Sequence, residues 1–281
     1  MKVVEIDKLN FFYNYGTKNQ LHVLKDVDFY LEAGESVGII GKTGSGKSTF
    51  LYHLNGLLSP SSGSVRVFGV DINSGDVNLH KIRKRIGIVF QNPEDQLFER
   101  YLGDDIAFGP LKYGKTIEEA REIVFRVMNM VGLDRSLKDR FITKLSFGQK
   151  RLGAIAGVLA LEPEVLVLDE PTSGLDPLTR RRVLEMLRRL RAGGISIILV
   201  SHRIEDVVDV CQRVYILDEG RVVYTGRVED LCNNPDILAE HGFEPPVVSE
   251  LAFSMRKAGL QLGDGIINVG QLLDALDEIL R

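Results

Sequence analysis

The sequence predicts an α/β fold with a parallel β-sheet at its core, on three observations. Several short apolar segments rich in β-branched residues have the composition of strands buried on both faces. Helical stretches separate these segments, and such alternation is typical of a parallel sheet. At 281 residues and 44% hydrophobic composition, the chain is long enough to bury a sizeable core. The segments are SVGII, RIGIVF, EVLVLD, ISIILVS and RVYILD.

An antiparallel β region is predicted ahead of this core, at the N-terminal end. Apolar and polar residues alternate from VVEIDKLNFFYNYG through VDFYLEAGES, as they do in strands with one buried face. We therefore predict antiparallel strands joined by turns in this part of the chain.

A helical segment is predicted to interrupt the core between two of its strands. From Asn92 to about Pro163 the β pattern disappears and helical periodicity dominates, as in TIEEAREIVFRVMNMVG. After GRVVYTG the chain again becomes helical, and it ends in the short amphipathic stretch VGQLLDALDEIL. These patterns predict one unit over residues 1–230, with a helical insertion at about 92–163, and a C-terminal extension over 231–281.

The stretch SVGIIGKTGSGKSTFL contains the phosphate-binding pattern G-x-x-x-x-G-K-[ST], formed by Gly41, Gly46, Lys47 and Ser48. Glycines let the backbone curve closely around an anion, and the following helix adds unpaired amides and the positive end of its dipole. Lys47 is predicted to reach the β- and γ-phosphates, and the Ser48 hydroxyl is predicted to hold Mg²⁺. A dinucleotide site of the form G-x-G-x-x-G does not fit, because Lys47 and Ser48 occupy its last positions. The sequence therefore predicts a nucleoside triphosphate site.

Polar residues follow three other apolar strands of the predicted sheet. Asp169 and Glu170 end one strand, Gln91 follows a second, and His202 follows a third. At a strand end one carboxylate can hold the magnesium shell, and its neighbour can polarise a water for in-line attack. The Gln91 amide can help to hold magnesium and that water, and His202 can contact the γ-phosphate. Alone, the acidic pair fits a strand cap equally well and the histidine a structural role, but beside a phosphate loop they favour catalysis.

A second anion site is predicted at LSFGQ, residues Leu145 to Gln149, which precede the small-residue helix KRLGAIAGVLA. The N-terminus of a helix attracts anions, yet the phosphate loop already holds its own triphosphate. We therefore predict that this segment faces a nucleotide held by another subunit. The alternative, with Ser146 as an ordinary helix cap, leaves the rest of LSFGQ unexplained.

The composition is that of an ordinary globular protein without nucleic-acid partners. A net charge of −4 gives no reason to expect nucleic-acid binding, and the arginines from Arg180 to Arg191 are predicted to form a solvated helix face. Cys211 and Cys232 suit a reducing compartment and form no metal-binding pattern. We expect no signal peptide, since charges interrupt the first residues, and no membrane span, since no apolar run approaches ~20 residues.

In this order the motifs resemble those of ATP-binding cassette (ABC) ATPases, over about residues 1–230. The resemblance implies a P-loop ABC ATPase with a RecA-like parallel sheet, an N-terminal antiparallel β subdomain, an inserted helical subdomain and a small helical C-terminal extension. It implies ATP and Mg²⁺ as cofactors. It also implies that Glu170 is the general base, that His202 senses the γ-phosphate, and that Lys47 and Gln91 complete the catalytic set.

The resemblance further assigns nucleotide and metal contacts. Tyr13 in NFFYNYG is similar to the aromatic residue that stacks on adenine, in preference to Phe12 or Tyr15. The D-loop falls at Ser173–Asp176. The implied magnesium ligands are Ser48, Gln91 and Asp169. The implied nucleotide contacts are Tyr13, the Walker A residues Gly41, Lys42, Thr43, Gly44, Ser45, Gly46, Lys47, Ser48 and Thr49, the signature residues Ser146, Gly148 and Gln149, and Asp176.

Partners also follow from the resemblance. A second ABC ATPase subunit, identical or paralogous, is expected to pair head to tail with this chain around two ATP molecules. The segment FQNPEDQLFERYLGDDIAFGP is similar to that of energy-coupling factor (ECF) transporter ATPases, which power uptake of vitamins and of cobalt or nickel ions. An integral membrane subunit is then expected to dock near Gln91–Phe98, on exposed Leu97 and Phe98. This implies a peripheral protein on the cytoplasmic face of the cell membrane, with a C-terminal extension that helps to hold two ATPases together.

The signature departs from the family pattern at one position. Phe147 stands where the first glycine of Leu-Ser-Gly-Gly-Gln is usual, whereas Ser146 and Gly148 are kept. We hypothesise that the composite site using this signature is the weaker of two unequal sites. The alternatives are the ATPase of another ABC importer or exporter, and a regulatory ABC module whose activity Phe147 lowers. A soluble ABC protein of DNA repair or translation fits less well, since the chain has neither a long coiled-coil insertion nor a second cassette.

Overall fold

The computed structural model describes residues 1–75 and 77–279, and six of its strands form the core sheet. These are β3 (Ser36–Ile40), β6 (Ile86–Val89), β7 (Val165–Asp169), β8 (Ser196–Val200), β9 (Arg213–Asp218) and β10 (Arg221–Arg227). Their order is β10–β9–β3–β8–β7–β6, and neighbours run parallel except for β10, which pairs antiparallel with β9. The five apolar segments form β3, β6, β7, β8 and β9, so the predicted parallel core is confirmed.

Side chains of the core strands alternate between two hydrophobic clusters, one on each face of the sheet. In β7, Val165 and Val167 join one cluster, whereas Leu166 and Leu168 join the other. Because both faces are covered, β3, β7 and β8 are buried along their whole length. Two-sided burial explains why these strands are continuous apolar runs.

A four-stranded antiparallel sheet covers one face of the core, together with two helices. The sheet contains β1 (Lys2–Tyr13), β2 (Leu21–Glu32), β4 (Ser62–Val67) and β5 (Val70–Asp71), in the order β2–β1–β4–β5, and the helices are α1 (Lys47–Leu54) and α2 (Leu79–Arg85). The predicted antiparallel region is confirmed for β1 and β2. The sequence analysis did not predict β4 and β5, which are short and separated from β1 and β2 by the phosphate loop.

Three helices lie between β6 and β7, where the sequence predicted helical periodicity. They are α3 (Leu102–Lys112), α4 (Ile117–Val131) and α5 (Phe147–Leu159). A reciprocal cap between Thr116 and Glu119 starts α4, and Gly132 ends it. The apolar face of α4 packs on α5, and α5 packs beside β6 on the second face of the core sheet. Ser146 thereby becomes the cap of α5, at the surface of the molecule.

The remaining helices are α6 (Pro177–Ala192), α7 (Ile204–Val210), α8 (Val228–Asn233), α9 (Pro235–Glu240), α10 (Val247–Lys257) and α11 (Val269–Ile279). A small hydrophobic cluster of Ala252, Leu262, Ile266 and Leu272 holds α10 and α11 together. The predicted amphipathic end of the chain forms α11, and its last residue, Leu280, lies with Arg281 outside the described residues. Within the described part of the chain, no helix has both the length and the apolar character that a membrane crossing requires.

Candidate active site

The phosphate-binding motif forms the loop between β3 and α1. Gly46 has a φ of 105°, in the left-handed region, and a Cβ at this position would come within 2.9 Å of the Leu24 side chain. Lys47 folds back onto the loop, where its Nζ donates to the carbonyls of Gly41 at 2.7 Å and Lys42 at 2.9 Å. Burial lowers the pKa of Lys47, and the nearby strand-end carboxylates oppose that shift. The loop is therefore preformed, with its ammonium group held beside backbone carbonyls.

Ser48 joins the start of α1 to the end of β7. Its Oγ donates to Asp169 Oδ2 at 2.8 Å. Burial raises the pKa of the Asp169 carboxyl, and the hydrogen bond from Ser48 opposes the shift. Gln91, which follows β6, lines the same cavity as this pair. A hydroxyl, a carboxylate and an amide therefore meet where the sequence predicted the magnesium ligands.

Glu170 and His202 lie together at the carboxyl ends of β7 and β8. His202 Nδ1 is 2.7 Å from Glu170 Oε2. The Glu170 N–H donates to the carbonyl of Val200 at 3.0 Å, and the φ of Glu170 is +50°, which is uncommon for a non-glycine residue. Burial raises the pKa of the Glu170 carboxyl, and His202 opposes that shift. A buried carboxylate of raised pKa is well suited to accept a proton from a reacting group.

The four strand ends open into one cavity of about 550 Å³. This follows from the sheet order, because β3, β8, β7 and β6 are neighbours, and parallel strands bring their carboxyl ends to one edge. The cavity is lined by Val23, Thr43, Gly44, Gly46, Lys47, Ser48, Thr49, Gln91, Asp169, Glu170 and His202. All of these except Val23, which β2 supplies, are residues that the sequence analysis placed in the site. The other predicted loop residues differ in exposure, since Gly41 and Ser45 are buried and the Lys42 side chain is exposed.

Tyr13 ends β1 beside the first turn of α1. Its hydroxyl lies 3.2 Å from Thr49 Oγ1, and its ring contacts Phe11 edge to face. The two alternative aromatic residues are engaged differently: Phe12 stacks on His22 with ring centroids 3.9 Å apart, and Tyr15 packs on Phe12. Tyr13 is thus the aromatic of this segment that is fixed to the phosphate loop.

The signature residues lie apart from this cavity, at the N-terminus of α5. Ser146 Oγ accepts from the Gln149 N–H at 3.2 Å, and Gln149 Oε1 accepts from the Ser146 N–H at 3.0 Å. Ser146, Gly148, Gln149 and Asp176 line a second cavity of about 580 Å³. The Asp176 carboxylate caps α6 and accepts from two of its amides at 3.0 Å. Among the described residues, the two cavities have no lining residue in common, and Ser146, Gly148 and Gln149 do not line the cavity of the phosphate loop.

The sequence prediction for Leu97 is wrong. Leu97 was expected to be exposed beside Phe98, but it is buried in the core under the helical insertion, with 8% exposure. Its N–H donates to the carbonyl of Pro93 at 3.0 Å, at the end of a tight helical turn that directs the side chain inward. Phe98 is 63% exposed, and its ring packs edge to face on Phe108 with centroids 4.8 Å apart.

The sequence analysis missed Arg151, which is 1% exposed on α5. Its Nη1 donates to the carbonyl of Phe90 at 2.9 Å. Burial lowers the pKa of Arg151, and the charges of Asp169 and Glu170 oppose that shift. Helical spacing is the signal that points to it, since Arg151 lies one turn after Phe147 on the same helix face.

A buried network behind the cavity was also missed. Asp206, on α7, is fully buried and accepts hydrogen bonds from Thr172 Oγ1 and from Arg180 Nε, the latter at 2.7 Å. Thr172 follows Glu170 by two residues, and Asp206 follows His202 by four residues. The network therefore ties together the two segments that hold the facing pair.

A family model described as "ABC transporter" matches residues 24–173, which is more than half of the chain. The chain belongs to the ABC transporter family. Membership identifies it as an ABC ATPase and ATP as its nucleotide. The predicted resemblance to ABC ATPases is thereby confirmed.

Relatives of this ABC ATPase include energy-coupling factor transporter ATP-binding proteins named EcfA2. The protein of Clostridium perfringens is 44% identical over 280 residues, covering 99% of this chain and 98% of that protein. The protein of Caldanaerobacter subterraneus is 39% identical over 279 residues, covering 99% of this chain and 96% of that protein. The predicted likeness to the ECF subgroup is confirmed by this identity over nearly the full length of the chain.

Two solved structures share the fold with a TM-score of 0.74 each. One is cbiO1 from Clostridium perfringens, part of the ABC transporter complex cbiONQ, which is 35% identical and covers 89% of this chain and 98% of that chain. The other is the ATP-binding cassette MJ0796 in a dimeric post-hydrolysis state bound to ADP and Pi. It is 28% identical and covers 80% of this chain and 98% of that chain.

Proposed function

We propose that this chain is the ATP-hydrolysing subunit of a membrane importer of the energy-coupling factor class. The observation that carries the proposal is the convergence of four strand ends on one cavity that contains a preformed phosphate loop and a carboxylate–histidine pair. Full-length identity of 39–44% to ECF transporter ATP-binding proteins supports the class of transporter.

Different residues of the cavity have different roles in ATP hydrolysis. Glu170, buried and held by His202, accepts the proton of the attacking water as general base. Lys47, whose ammonium lies over the loop, stabilises the charge of the β- and γ-phosphates. Since phosphoryl transfer depends mainly on positioning and on charge stabilisation, this preformed loop lowers the cost of organising the site.

The donor set at Ser48 fits Mg²⁺. A hydroxyl, a carboxylate and an amide are hard oxygen ligands, and Mg²⁺ on a nucleotide usually takes only one or two carboxylates from its protein. Ser48, Asp169 and Gln91 would hold the ion directly or through water. When bound, Mg²⁺ supplies positive charge beside the β- and γ-phosphates. The described residues contain no cluster of three or more His, Cys, Asp or Glu side chains able to hold a metal, which agrees with an ion that arrives with the nucleotide.

A second ATPase subunit, identical or paralogous, completes the site in this proposal. Among the described residues, no residue of the chain's own phosphate loop lines the signature cavity at the N-terminus of α5. Its unpaired amides are positioned to meet a phosphate that another subunit presents. MJ0796, the solved cassette with 28% identity, is a dimer.

An integral membrane subunit would dock beside the segment Gln91–Phe98. Phe98 and Phe108 form an exposed aromatic pair there, and Lys112 Nζ lies 5.6 Å from the Phe108 ring centroid. An exposed apolar patch rimmed by polar residues is typical of a protein contact. Such docking would hold the chain peripherally at the cytoplasmic face of the membrane.

Substitution of the proposed base tests the function. We expect Glu170→Gln to bind ATP with near wild-type affinity and to hydrolyse it at least ~10²-fold more slowly, because the amide cannot accept the proton. ATP turnover by phosphate release and nucleotide binding by titration measure the two effects separately.

Glu162→Gln is the matched control. Glu162 also has a positive φ, at 53°, but it lies outside the cavity and forms an exposed ion pair with Arg126. Its turnover is expected to equal that of the wild type. Near-normal hydrolysis by Glu170→Gln would remove Glu170 from its role, and absence of hydrolysis by the wild type in any assembly would overturn the proposed function.

A further inference from the structure

Phe147, the first residue of α5, packs against the loop that follows the Glu170 segment. Gly174 in that loop has a φ of +74°, and a Cβ added there would come within 2.9 Å of Phe147 Cε1. Only glycine allows the ring edge to approach this backbone so closely. The ring is 43% exposed, so it lies at the surface and is not part of the hydrophobic core.

The face of the same ring lies against a buried cation. The Arg151 guanidinium carbon is 5.4 Å from the Phe147 ring centroid, and the Arg151 side chain is 1% exposed. Its Nη1 donates to the Phe90 carbonyl, while its Nε has no hydrogen-bond partner among the described residues. A desolvated guanidinium gains most from an aromatic face when other partners are few. Phe147 therefore adds to the stabilisation of this charge by the Phe90 carbonyl and by the carboxylates of Asp169 and Glu170.

Both contacts of the ring lead directly to residues of the proposed catalytic set. Phe90, the acceptor for Arg151, immediately precedes Gln91. Gly174 follows Ser173, whose N–H donates to the Glu170 carbonyl at 3.2 Å. A cleft of about 690 Å³ is lined by Phe147, Arg151 and Gly174 together with Ser48, Gln91 and Asp169. The ring thus bridges the signature helix and the backbone on two sides of the ATP site.

We propose that Phe147 is a positioning residue for ATP hydrolysis within its own chain. It fixes the loop at Gly174 and, through Arg151, the backbone before Gln91, so that Gln91 and Glu170 keep their places while the signature engages a partner. The inference rests on the proposed function. The reciprocal cap of Ser146 and Gln149 is intact, so the bulky ring does not disturb the start of α5. The hypothesis of a weaker site predicts that glycine at this position raises turnover, whereas a positioning role predicts a loss.

A substitution series at this position tests the inference in the full-length chain, in the assembly in which the wild type hydrolyses ATP. We expect Phe147→Leu and Phe147→Gly to lower kcat about 10-fold or more, because small displacements of catalytic groups are costly. The KM for ATP is expected to stay within about 2-fold, because the phosphate loop is untouched. Phe147→Tyr keeps the aromatic face and is expected to retain wild-type turnover. Since the ring is partly exposed, all three variants are expected to fold, which thermal melting verifies.

Phe125→Leu is the matched control, since this half-buried ring on α4 also lies near an arginine, with Arg135 at 5.2 Å, but outside both cavities. It is expected to leave kcat unchanged. Turnover of Phe147→Gly at or above the wild-type value overturns the inference, and so does a loss in Phe147→Tyr equal to that in Phe147→Leu. A rise in KM at constant kcat also overturns it, because the effect would then lie in binding. A wild type that does not hydrolyse ATP is a separate outcome, which refutes the proposed function.

Discussion

At the scale of single residues, we propose that Tyr13 is the surface on which the base of ATP stacks. Its hydroxyl is 3.2 Å from Thr49 Oγ1, on the turn that holds the phosphate-binding residues. An aromatic ring fixed to the phosphate loop gives a nucleotide one rigid stacking surface at low entropic cost. The ring, and not the hydroxyl, is then the main source of base affinity.

We expect Tyr13→Ala to weaken ATP binding about 10-fold, since stacking of a base on an aromatic side chain contributes about 1–3 kcal/mol. Tyr13→Phe keeps the ring and is expected to bind ATP within about 2-fold of the wild type. Tyr15→Ala serves as the control, because this side chain is 71% exposed and packs on Phe12 instead of the loop. Titration with a fluorescent ATP analogue measures all three. If Tyr15→Ala weakened ATP binding and Tyr13→Ala did not, the assignment of the stacking surface to Tyr13 would be wrong.

The sequence predicted which strand-end residues lie close together in the site. It did not predict the residues whose position depends on packing. Asp169, Glu170 and His202 each follow an apolar run, so the edge they share follows from the parallel sheet alone. Arg151 follows no strand, and although helical spacing places it beside Phe147, its hydrogen-bond acceptor is a carbonyl that only the folded chain brings near. Leu97 was misplaced for the same reason, since a single tight turn decides whether its side chain faces inward.

At the scale of elements, a buried network joins the loop after β7 to α7. Asp206 is fully buried and receives hydrogen bonds from Thr172 and from Arg180, whose side chain is 25% exposed. The network joins three segments that are far apart along the chain. It thereby restrains the two loops on which Glu170 and His202 face each other.

We expect Asp206→Asn to lower the free energy of unfolding by about 3 kcal/mol, because it leaves a largely buried guanidinium without its carboxylate. Asp209→Asn is the control on the same helix. Asp209 is 3.8 Å from Arg188 in a pair exposed by more than 40% on both sides, and loss of such a pair costs about 1 kcal/mol or less. Urea unfolding measures both variants. Equal stability of the two variants would show that the network is not a restraint.

The elements themselves differ in how far sequence patterns predict them. The core strands were found because two-sided burial makes them continuous apolar runs. The helix α4 was found because its apolar residues recur at helical spacing between a capping box and a glycine. The strand β4, SGSVRV, contains glycine and serine and buries only Val65 and Val67 fully, so its place in the sheet is set by pairing with β1.

At the scale of the whole molecule, the ATP cavity and the signature cavity lie apart, and each has half of the groups that a transfer site needs. The first supplies the loop, the carboxylates and the histidine. The second supplies a helix N-terminus without a phosphate beside it. In the proposed head-to-tail pairing of two subunits, both halves would be joined twice, and ATP would lie in the interface.

Pairing should therefore depend on nucleotide and on the signature together. We expect Glu170→Gln to form a dimer in saturating MgATP, with twice the chain's mass when alone or the summed mass of both chains with a paralogous subunit, because ATP persists between the subunits. Adding Gly148→Arg should return it to the monomer. A Cβ at Gly148 meets only ordinary contacts, 3.6 Å from Leu175 and 3.8 Å from Thr179, so the variant is expected to fold while it blocks the cavity with a long side chain. Light scattering with size exclusion measures the mass.

A Glu170→Gln chain that stays monomeric with ATP and both partner subunits present would contradict the shared-site account. A dimer that Gly148→Arg leaves intact would contradict it as well.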